Sequence, residues 1–397
     1  MWKPLIVLGS MAFSALLAVA SVVPATAAPV RETTRILTWS VVHSPNRGAG
    51  ANALNGVSCV SAHGCMAVGQ DLGSTGALRT LAESWDGSRW SVVPSPNRGR
   101  DDNVLDAVSC VSVVACMASG YFEGGLGGTL AESWDGTRWS VLPSPAPGTT
   151  GGDALYGVSC VSADACMAVG AFGNSSGNAS TLAESWDGAR WSVVPSPNPV
   201  PGGGGFRGVS CVSKDACVAV GFSGSNTGVH TTLAESWNGS HWSVLPSRNP
   251  VTGNNLFNGV SCVSADACTA IGVSGSSTGV TSTLIESWDG SRWSVVPSPN
   301  PGPGFTWLDG VSCAAADACN ATGHYFTQTG GNRTLIESWN GTRWSVVPHP
   351  QPGTTARELV GVSCVSTTTC TAAGFFFGRG AIRTLIETGT ASGVNRN

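Results

Sequence analysis

Charge is scarce in this chain: Asp, Glu, Lys and Arg make up 11% of its 397 residues, and only Lys3 and Lys214 are lysines. Removal of Lys3 with an N-terminal leader leaves 19 basic residues against 24 acidic ones, with the arginines dispersed along the chain. A nucleic-acid partner is therefore disfavoured, because binding a phosphate backbone calls for a basic patch or stripe. Beyond residues 5–23 no apolar run is long enough to cross a bilayer as a helix. His-x-x-x-His and Cys-x2-Cys spacings, a Gly-Lys-Ser/Thr phosphate loop, a Gly-x-Ser-x-Gly elbow and a calcium loop are all missing. With them go the usual footings for zinc, nucleotide, serine-hydrolase and calcium chemistry. No catalytic residue, metal or cofactor is expected.

Hydrophobic residues reach 42%, enough for a large core, so a disordered chain is excluded. The apolar run 5–23 follows one positive charge and leads into Pro24-Ala25-Thr26-Ala27, the small-residue exit of a secretory signal. Cleavage is expected after Ala27, since one residue later Pro29 would directly follow the bond. An uncleaved membrane anchor is the alternative. No Cys lies near the cleavage point, which disfavours a lipoprotein. Outside the cytosol the fourteen cysteines, all in the mature part, are expected to be oxidised.

Length alone suggests two or three domains, but internal repeats override it. GVSCVSAHGCMAVG (56–69) returns as AVSCVSVVACMASG (107–120) and GVSCVSADACMAVG (157–170), then at 208–221, 259–272, 310–323 and 361–374, seven copies about fifty-one residues apart. TLAESWDGSRWSVVPSPN (80–97) follows the first copy and has counterparts beginning at Thr129, Thr181, Thr232, Thr283 and Thr334. Each unit reads as four short strands, 56–61, 65–69, 80–85 and 90–93 in the first, with turn residues between them. Four-stranded repeats of this length are the blades of a β-propeller, with an open β-solenoid as competitor.

The two ends of the chain decide between them. The seventh copy stops after Thr384-Leu385-Ile386-Glu387 without its Trp-containing fourth strand, and Trp39-Ser40-Val41-Val42-His43-Ser44-Pro45-Asn46 supplies the missing piece. Lending residues 38–43 to blade seven closes a ring without exposed sheet edges. The expected architecture is all-β: a signal peptide at 1–27, a seven-bladed propeller at 35–390 and a tail at 391–397.

Two devices are expected in each blade. Trp85 and Trp90 flank Asp86-Gly87-Ser88-Arg89, a hairpin with Gly where a type II′ turn requires it. The indoles then face each other, worth about 0.5–1 kcal/mol. The Cys-x5-Cys pairs Cys59/Cys65, Cys110/Cys116, Cys160/Cys166, Cys211/Cys217, Cys262/Cys268, Cys313/Cys319 and Cys364/Cys370 lie opposite one another if residues 61–63 turn. Each such disulfide contributes about 2 kcal/mol, and its main role is expected to be fixing hairpin register.

The motifs SCVSADAC and AESWDGxRWSVVPSP resemble the Cys-hairpin propeller repeats of secreted actinobacterial proteins, over nearly all of the mature chain. Ser84-Trp85-Asp86-Gly87-Ser88-Arg89-Trp90 is also similar to the Asp-box hairpin of sialidase-like propellers, though one residue short between Asp and Gly. That likeness implies an arginine triad with a Tyr/Glu pair, and no such constellation can be assigned here.

Glu83, Glu132, Glu184, Glu235, Glu286, Glu337 and Glu387 occupy one position in every blade. Sevenfold repetition marks a packing solution, so each is expected to be satisfied by hydroxyls or backbone amides. The residues 202–205 are expected to be a flexible connection. Both uniform hairpins fall on one face of the ring, and the long, variable connections fall on the other, where function belongs. Just before the first strand of each blade a second variable position should ring the channel mouth. Tyr156, Arg207, Asn258 and Asp309, with Trp307 beside them, are the ligand-binding candidates, a set suited to a hydroxyl-rich ligand.

The leading expectation is a secreted, monomeric, non-enzymatic binding protein for glycans, cell-surface polymers or a secreted protein, free of the membrane after cleavage. A polysaccharide hydrolase or lyase on the same face, drawing on Asp309, Glu123, Glu358 and Arg357, is one alternative. A protein-interaction scaffold is the other.

Overall fold

A computed structural model describes residues 37–391 except 177, 198–202, 225–228 and 277–278. The proposed signal peptide and nearly all of the proposed tail lie outside the described residues. The described chain forms seven four-stranded antiparallel sheets with no helix among them, a seven-bladed β-propeller. Blade one consists of Asn52–Ser61, Gly64–Leu72, Leu78–Trp85 and Trp90–Val93, in sequence order from the inner strand outward.

The seam is where the repeat arithmetic puts it. Leu37–Val42 pairs antiparallel with Ala381–Ala391, with Trp39 opposite Gly389 and Val42 opposite Ile386. Blade seven thus unites both ends of the propeller in one sheet.

The Cys-x5-Cys spacing produces the expected cross-hairpin disulfide in all seven blades, with Cys59 directly opposite Cys65. The turn itself is tighter than expected. Ser61 pairs with Gly64, residues 62–63 form the tip, and a bulge between Cys59 and Ser61 absorbs the extra residue.

Besides pairing the two strands of the hairpin, these bridges take part in the core. The second cysteine of the pair is fully buried in six blades: Cys116, Cys166, Cys217, Cys268, Cys319 and Cys370 are all 7% exposed or less. Each joins the apolar cluster between two blades. Cys116 packs with Met66 and Trp139, Cys166 with Met117 and Trp191, and Cys217 with Met167 and Trp242. Cys268 packs with Val218 and Trp293, Cys319 with Ile271 and Trp344, and Cys370 with Ile336 and Trp39. Cys65 alone is only partly buried, against the equivalent cluster of blade one. The physical reason is position: the second cysteine begins the run of buried residues on the second strand, so its sulfur faces the neighbouring blade. These residues are therefore core side chains as well as staples.

In six blades the hairpin tryptophans face each other with ring centroids 5.6–5.8 Å apart. Gly87 has φ 92°, which the turn requires and a side chain would strain. The Asp86 carboxylate accepts from the backbone N–H groups of Ser88 and Arg89 and from the Ser88 hydroxyl. Trp85 Nε1–H donates to the Ala62 carbonyl, tying the two hairpins together on one face.

Packing runs between blades. Met66, Val68 and Ala82 of blade one pack with Leu105, Val108, Ala118, Leu130 and Trp139 of blade two, and equivalent clusters recur round the ring. The repeated Ser-Cys dipeptide makes a latch: the amide of Cys110 donates to Ser58 Oγ at 3.0 Å, and the chain of such bonds ends with Cys59 donating to Ser363 across the seam. All seven latches are present.

Candidate functional site

The inner strands begin earlier than the sequence suggests. Blade one's starts at Asn52, not near Gly56, so the variable positions lie inside strands rather than just before them. Each inner strand carries a bulge there, between Leu54 and Gly56, Leu105 and Ala107, Leu155 and Gly157, Phe206 and Gly208, Phe257 and Gly259, Leu308 and Gly310, and Leu359 and Gly361. The residue before the bulge packs fully buried between blades, as Leu54 and Phe206 do. The extra residue leaves the alternation of the strand, which is how bulges re-aim side chains. The fixed glycine on the second strand permits this close pairing. A Cβ on Gly69 would meet the Ala53 carbonyl oxygen at 2.1 Å.

The seven extra residues are Asn55, Asp106, Tyr156, Arg207, Asn258, Asp309 and Val360, and all line one central cavity of about 360 Å³. None of the fourteen cysteines lines it. Of the five residues singled out from the sequence, the structure gathers Tyr156, Arg207, Asn258 and Asp309 there. Trp307 is not in the lining. Its indole N–H donates to Thr281 Oγ1 of the preceding blade at 2.9 Å, and its ring lies 5.8 Å from that of His324.

His324 connects Trp307 to the channel, because its Nδ1 lies 3.2 Å from Asp309 Oδ2. Burial pulls its imidazole pKa down, but the hydrogen bond and charge of Asp309, with Glu358 adding, leave it above its ordinary value. Burial likewise raises Glu358, with His324 opposing. His324 belongs to a second variable tier that the sequence reading missed: Gln70, Tyr121, Ala171, Phe222, Val273, His324 and Phe375, each directly after the repeated Gly of the second strand. That position was visible as a variable residue beside an invariant one.

The ring is asymmetric in charge. Arg207 is exposed, with its guanidinium 5.1 Å from the Tyr156 ring centroid and 5.7 Å from that of Phe222. Asp106 is pushed up to about 7 by burial, against the pull of Arg207. Its Oδ2 is buried without a hydrogen-bond partner, and Asn55 Nδ2 approaches its Oδ1 at 3.5 Å. Asn258 repeats that relation with Asp309 at 3.5 Å while donating to the Leu308 carbonyl. Burial raises Tyr121 to about 12, with the nearby Asp106 charge adding.

Other candidates separate from the channel. Arg357 is buried and caps the carbonyls of Gln351 and Gly353. Glu123 lies in blade two, away from Asp309 in blade six, and Gly204 and Gly205 belong to the strand Gly204–Ser213 rather than to a flexible connection. Five of the repeated glutamates accept a hydroxyl from the preceding blade's Ser-Pro loop, as Ser95 does for Glu132 at 2.8 Å, and Glu286 accepts the Arg248 amide. Glu387 departs from the expectation, because neither of its oxygens has a partner. Among the described residues no group of three or more His, Cys, Asp or Glu is placed to hold a metal ion.

Fold and channel together define a disulfide-pinned β-propeller with a polar central site. The chain is similar to solved propellers along most of its length. One is described as YCF48 bound to D1 peptide, with 12% identity, 90% of this chain and 97% of that chain covered, and a TM-score of 0.53. Another is YCF48 from Cyanidioschyzon merolae, with 11% identity, coverage of 88% and 98%, and a TM-score of 0.52. A third is a polysaccharide lyase PL25, an ulvan lyase bound to -[GlcA(1-4)Rha3S]-, with 9% identity, coverage of 84% and 94%, and a TM-score of 0.52. At such identities the likeness concerns the fold. No family model and no curated protein matches the sequence.

Proposed function

We propose that this chain is an exported, non-enzymatic binding protein that holds a hydroxyl-rich ligand, a glycan or cell-surface polymer, at its central channel. The observation that carries this reading is the set of seven bulges, which place seven residues of five kinds around a single cavity of about 360 Å³. The scaffold repeats and the lining does not, the division expected when a rigid frame presents a specific site. Seven disulfides suit an oxidising compartment outside the cytosol. Tyr156 offers an aromatic face, Arg207 donors, and Asn258 and Asp309 acceptors, the mixture that meets the faces and hydroxyls of a sugar. The ligands named for the solved propellers, a peptide and a polysaccharide, belong to those proteins.

The test is a glycan array probed with the mature chain and with Tyr156→Ala and Arg207→Ala. Binding to a defined sugar that weakens about tenfold or more in either variant supports the reading. An array without signal, or binding indifferent to both changes, refutes it.

An enzymatic reading has one specific observation behind it, the grouping of Asp309, His324 and Glu358 beside the channel. Release of reducing ends from a bound polysaccharide, abolished by His324→Ala, would favour it over simple binding.

A further inference from the structure

Seven blades made from one repeat should present similar rims, and in exposed aromatic surface they do not. Among the described residues the exposed aromatic side chains are Phe305, Trp307 and Phe326 of blade six, at 49%, 37% and 40%, and Phe377 of blade seven, at 36%. The positions equivalent to Trp307 hold Ala53, Val104, Ala154, Gly205, Leu256 and Glu358, none of them aromatic. Repetition marks what the fold needs, and this cluster stands outside it.

Two cross-strand pairs build the array. Trp307 lies opposite His324, and the Phe326 amide donates to the Phe305 carbonyl at 2.9 Å. Alternate residues of a strand share a face, so the four rings stand on one side of the sheet. Ring contacts run without a gap from Trp307 to His324 at 5.8 Å, on to Phe326 at 6.0 Å and then to Phe305 at 5.9 Å. The Trp307 indole N–H is taken by Thr281 Oγ1 of blade five, and His324 lies against its ring. What Trp307 offers a ligand is therefore an apolar face, held in place, rather than a donor.

Exposed apolar clusters on a protein surface mark binding sites. This one is continuous with the channel, because His324 also meets Asp309, a lining residue whose side chain keeps 19% of its surface exposed. The cavity of about 360 Å³ is at the small end of ligand pockets, so a polymer seated there must emerge over the rim. A protein partner asks for about 800 Å² on each side. Here the exposed aromatics stop at blades six and seven, and the connection into blade five reads Val251-Thr252-Gly253-Asn254.

We propose that blade six supplies a second subsite, an aromatic platform on which the outer units of a glycan chain stack after leaving the channel. The ligand is then a linear oligo- or polysaccharide held at several units rather than a single terminal sugar. This deepens the glycan reading above and rests on it. A pyranose carries C–H groups on its faces and hydroxyls round its edge. Its faces meet Trp307 and Phe305 while the hydroxyls stay in water or reach Asp309.

The backbone to use comes from affinity gels cast with soluble xylan, hydroxyethylcellulose, laminarin or glycol chitin, or from an array hit. Calorimetry of the mature protein then compares the disaccharide and the hexasaccharide of that backbone. The hexasaccharide should bind at least tenfold more tightly. Trp307→Ala and Phe305→Ala should each weaken it about fivefold or more and leave the disaccharide unchanged. Trp307→Phe, which keeps a ring and loses the Thr281 bond, should retain most of the affinity. Tyr156→Ala, in the channel, should weaken both ligands. Melting curves check folding, and Phe305→Ala carries the test if Trp307→Ala is unstable. A hexasaccharide no tighter than the disaccharide, or indifferent to both alanine variants, overturns the platform and leaves glycan binding at the channel standing. So does a dimer in light scattering that Phe305→Ala dissolves, which assigns the patch to a second copy of the chain. If no gel retards the protein and the array is also silent, both readings fall.

Discussion

Blade seven and the other six are made from the same repeat, yet they are held differently. In blades one to six a hairpin joins the outer two strands, and its paired tryptophans close the outer edge. In blade seven the outer strand Leu37–Val42 comes from the other end of the propeller, so no turn connects it. Gly389 takes the place of the hairpin's first Trp, and a Cβ there would lie 2.7 Å from the Trp39 indole. The blade keeps what does not depend on chain continuity: its disulfide, with Cys370 buried against Trp39, and the Ser363–Cys59 latch to blade one. It loses one contact between blades. His349 stands where Ser44, Ser95 and their counterparts stand, and it bonds instead to Thr334, Val347 and Gln351, so Glu387 is left alone. A ring closed without a covalent link tolerates losing local devices as long as the inter-blade bonds and core survive.

The largest expected effect breaks the seam. Trp39 and Trp191 are equally buried, at 4%, and equivalent in the repeat. Replacing either with Ala should cost about 3–5 kcal/mol in a denaturant titration. Trp39→Ala alone should also remove amide-exchange protection along both Leu37–Val42 and Ala381–Ala391, because no turn holds the freed strand nearby. If Trp191→Ala opens the seam equally, or Trp39→Ala leaves it protected, the distinction between the blades fails.

The seam was legible in the sequence because a fourth strand was absent from one end of the repeats and present at the other. The disulfide pairing followed from spacing, but the burial of Cys116, Cys319 and their equivalents did not, because it depends on which side of the second strand meets the next blade. Six of the seven glutamates have the hydroxyl or amide partner that their repetition implied, although in five of them only one carboxyl oxygen is met. Even the seventh had a visible sign, His349 in place of the loop serine. The channel was only partly legible. The variable position following Leu54 and its counterparts marked the lining correctly, but the bulge that turns those residues inward depends on backbone pairing with the next strand. A bulge also breaks the alternation by which Trp307 and Asp309 would share a side, which is why proximity in sequence placed Trp307 in the channel and the structure does not. His324 was missed because it sits on a neighbouring strand, and its pairing with Trp307 arises only in the folded sheet.

The second effect is a pH dependence centred on the glutamates. Burial raises Glu83, Glu132, Glu184 and Glu387 from 4.5 to about 8, and Glu235, Glu286 and Glu337 to about 7. The folded state therefore keeps protons that the unfolded chain releases above about pH 4.5. Stability is full below that value and is lost as pH rises through 7 to 8, at up to about 1.4 kcal/mol per unit for each group. Melting temperature should fall between pH 5 and pH 8.5. Glu387→Gln mimics the protonated form, so it should be near neutral at pH 5 and stabilising by about 1–3 kcal/mol at pH 8.5. Ser95→Ala would give Glu132 the isolation of Glu387 and steepen the decline. A flat melting profile, or a Glu387→Gln variant that tracks the parent at both pH values, contradicts this account.

The smallest effect concerns the hairpin that blade seven lacks. Arg89 lies 3.8 Å from the Asp86 carboxylate, and both side chains are largely exposed. Asp86 is held down to about 2 chiefly by the Ser88 hydroxyl and by the turn amides of Arg89 and Ser88, with the Arg89 charge the last contribution. The turn therefore needs the carboxylate as an acceptor rather than as an ion, and blade four uses Asn238 in the same role with His241 opposite. Arg89→Ala should change stability by less than about 0.5 kcal/mol. Asp86→Asn should be similarly mild, whereas Asp86→Ala, which strips three accepted hydrogen bonds, should lower the melting temperature more than either. A thermal melt that ranks Arg89→Ala above Asp86→Ala would make the ion pair, not the acceptor, the element that blade seven does without.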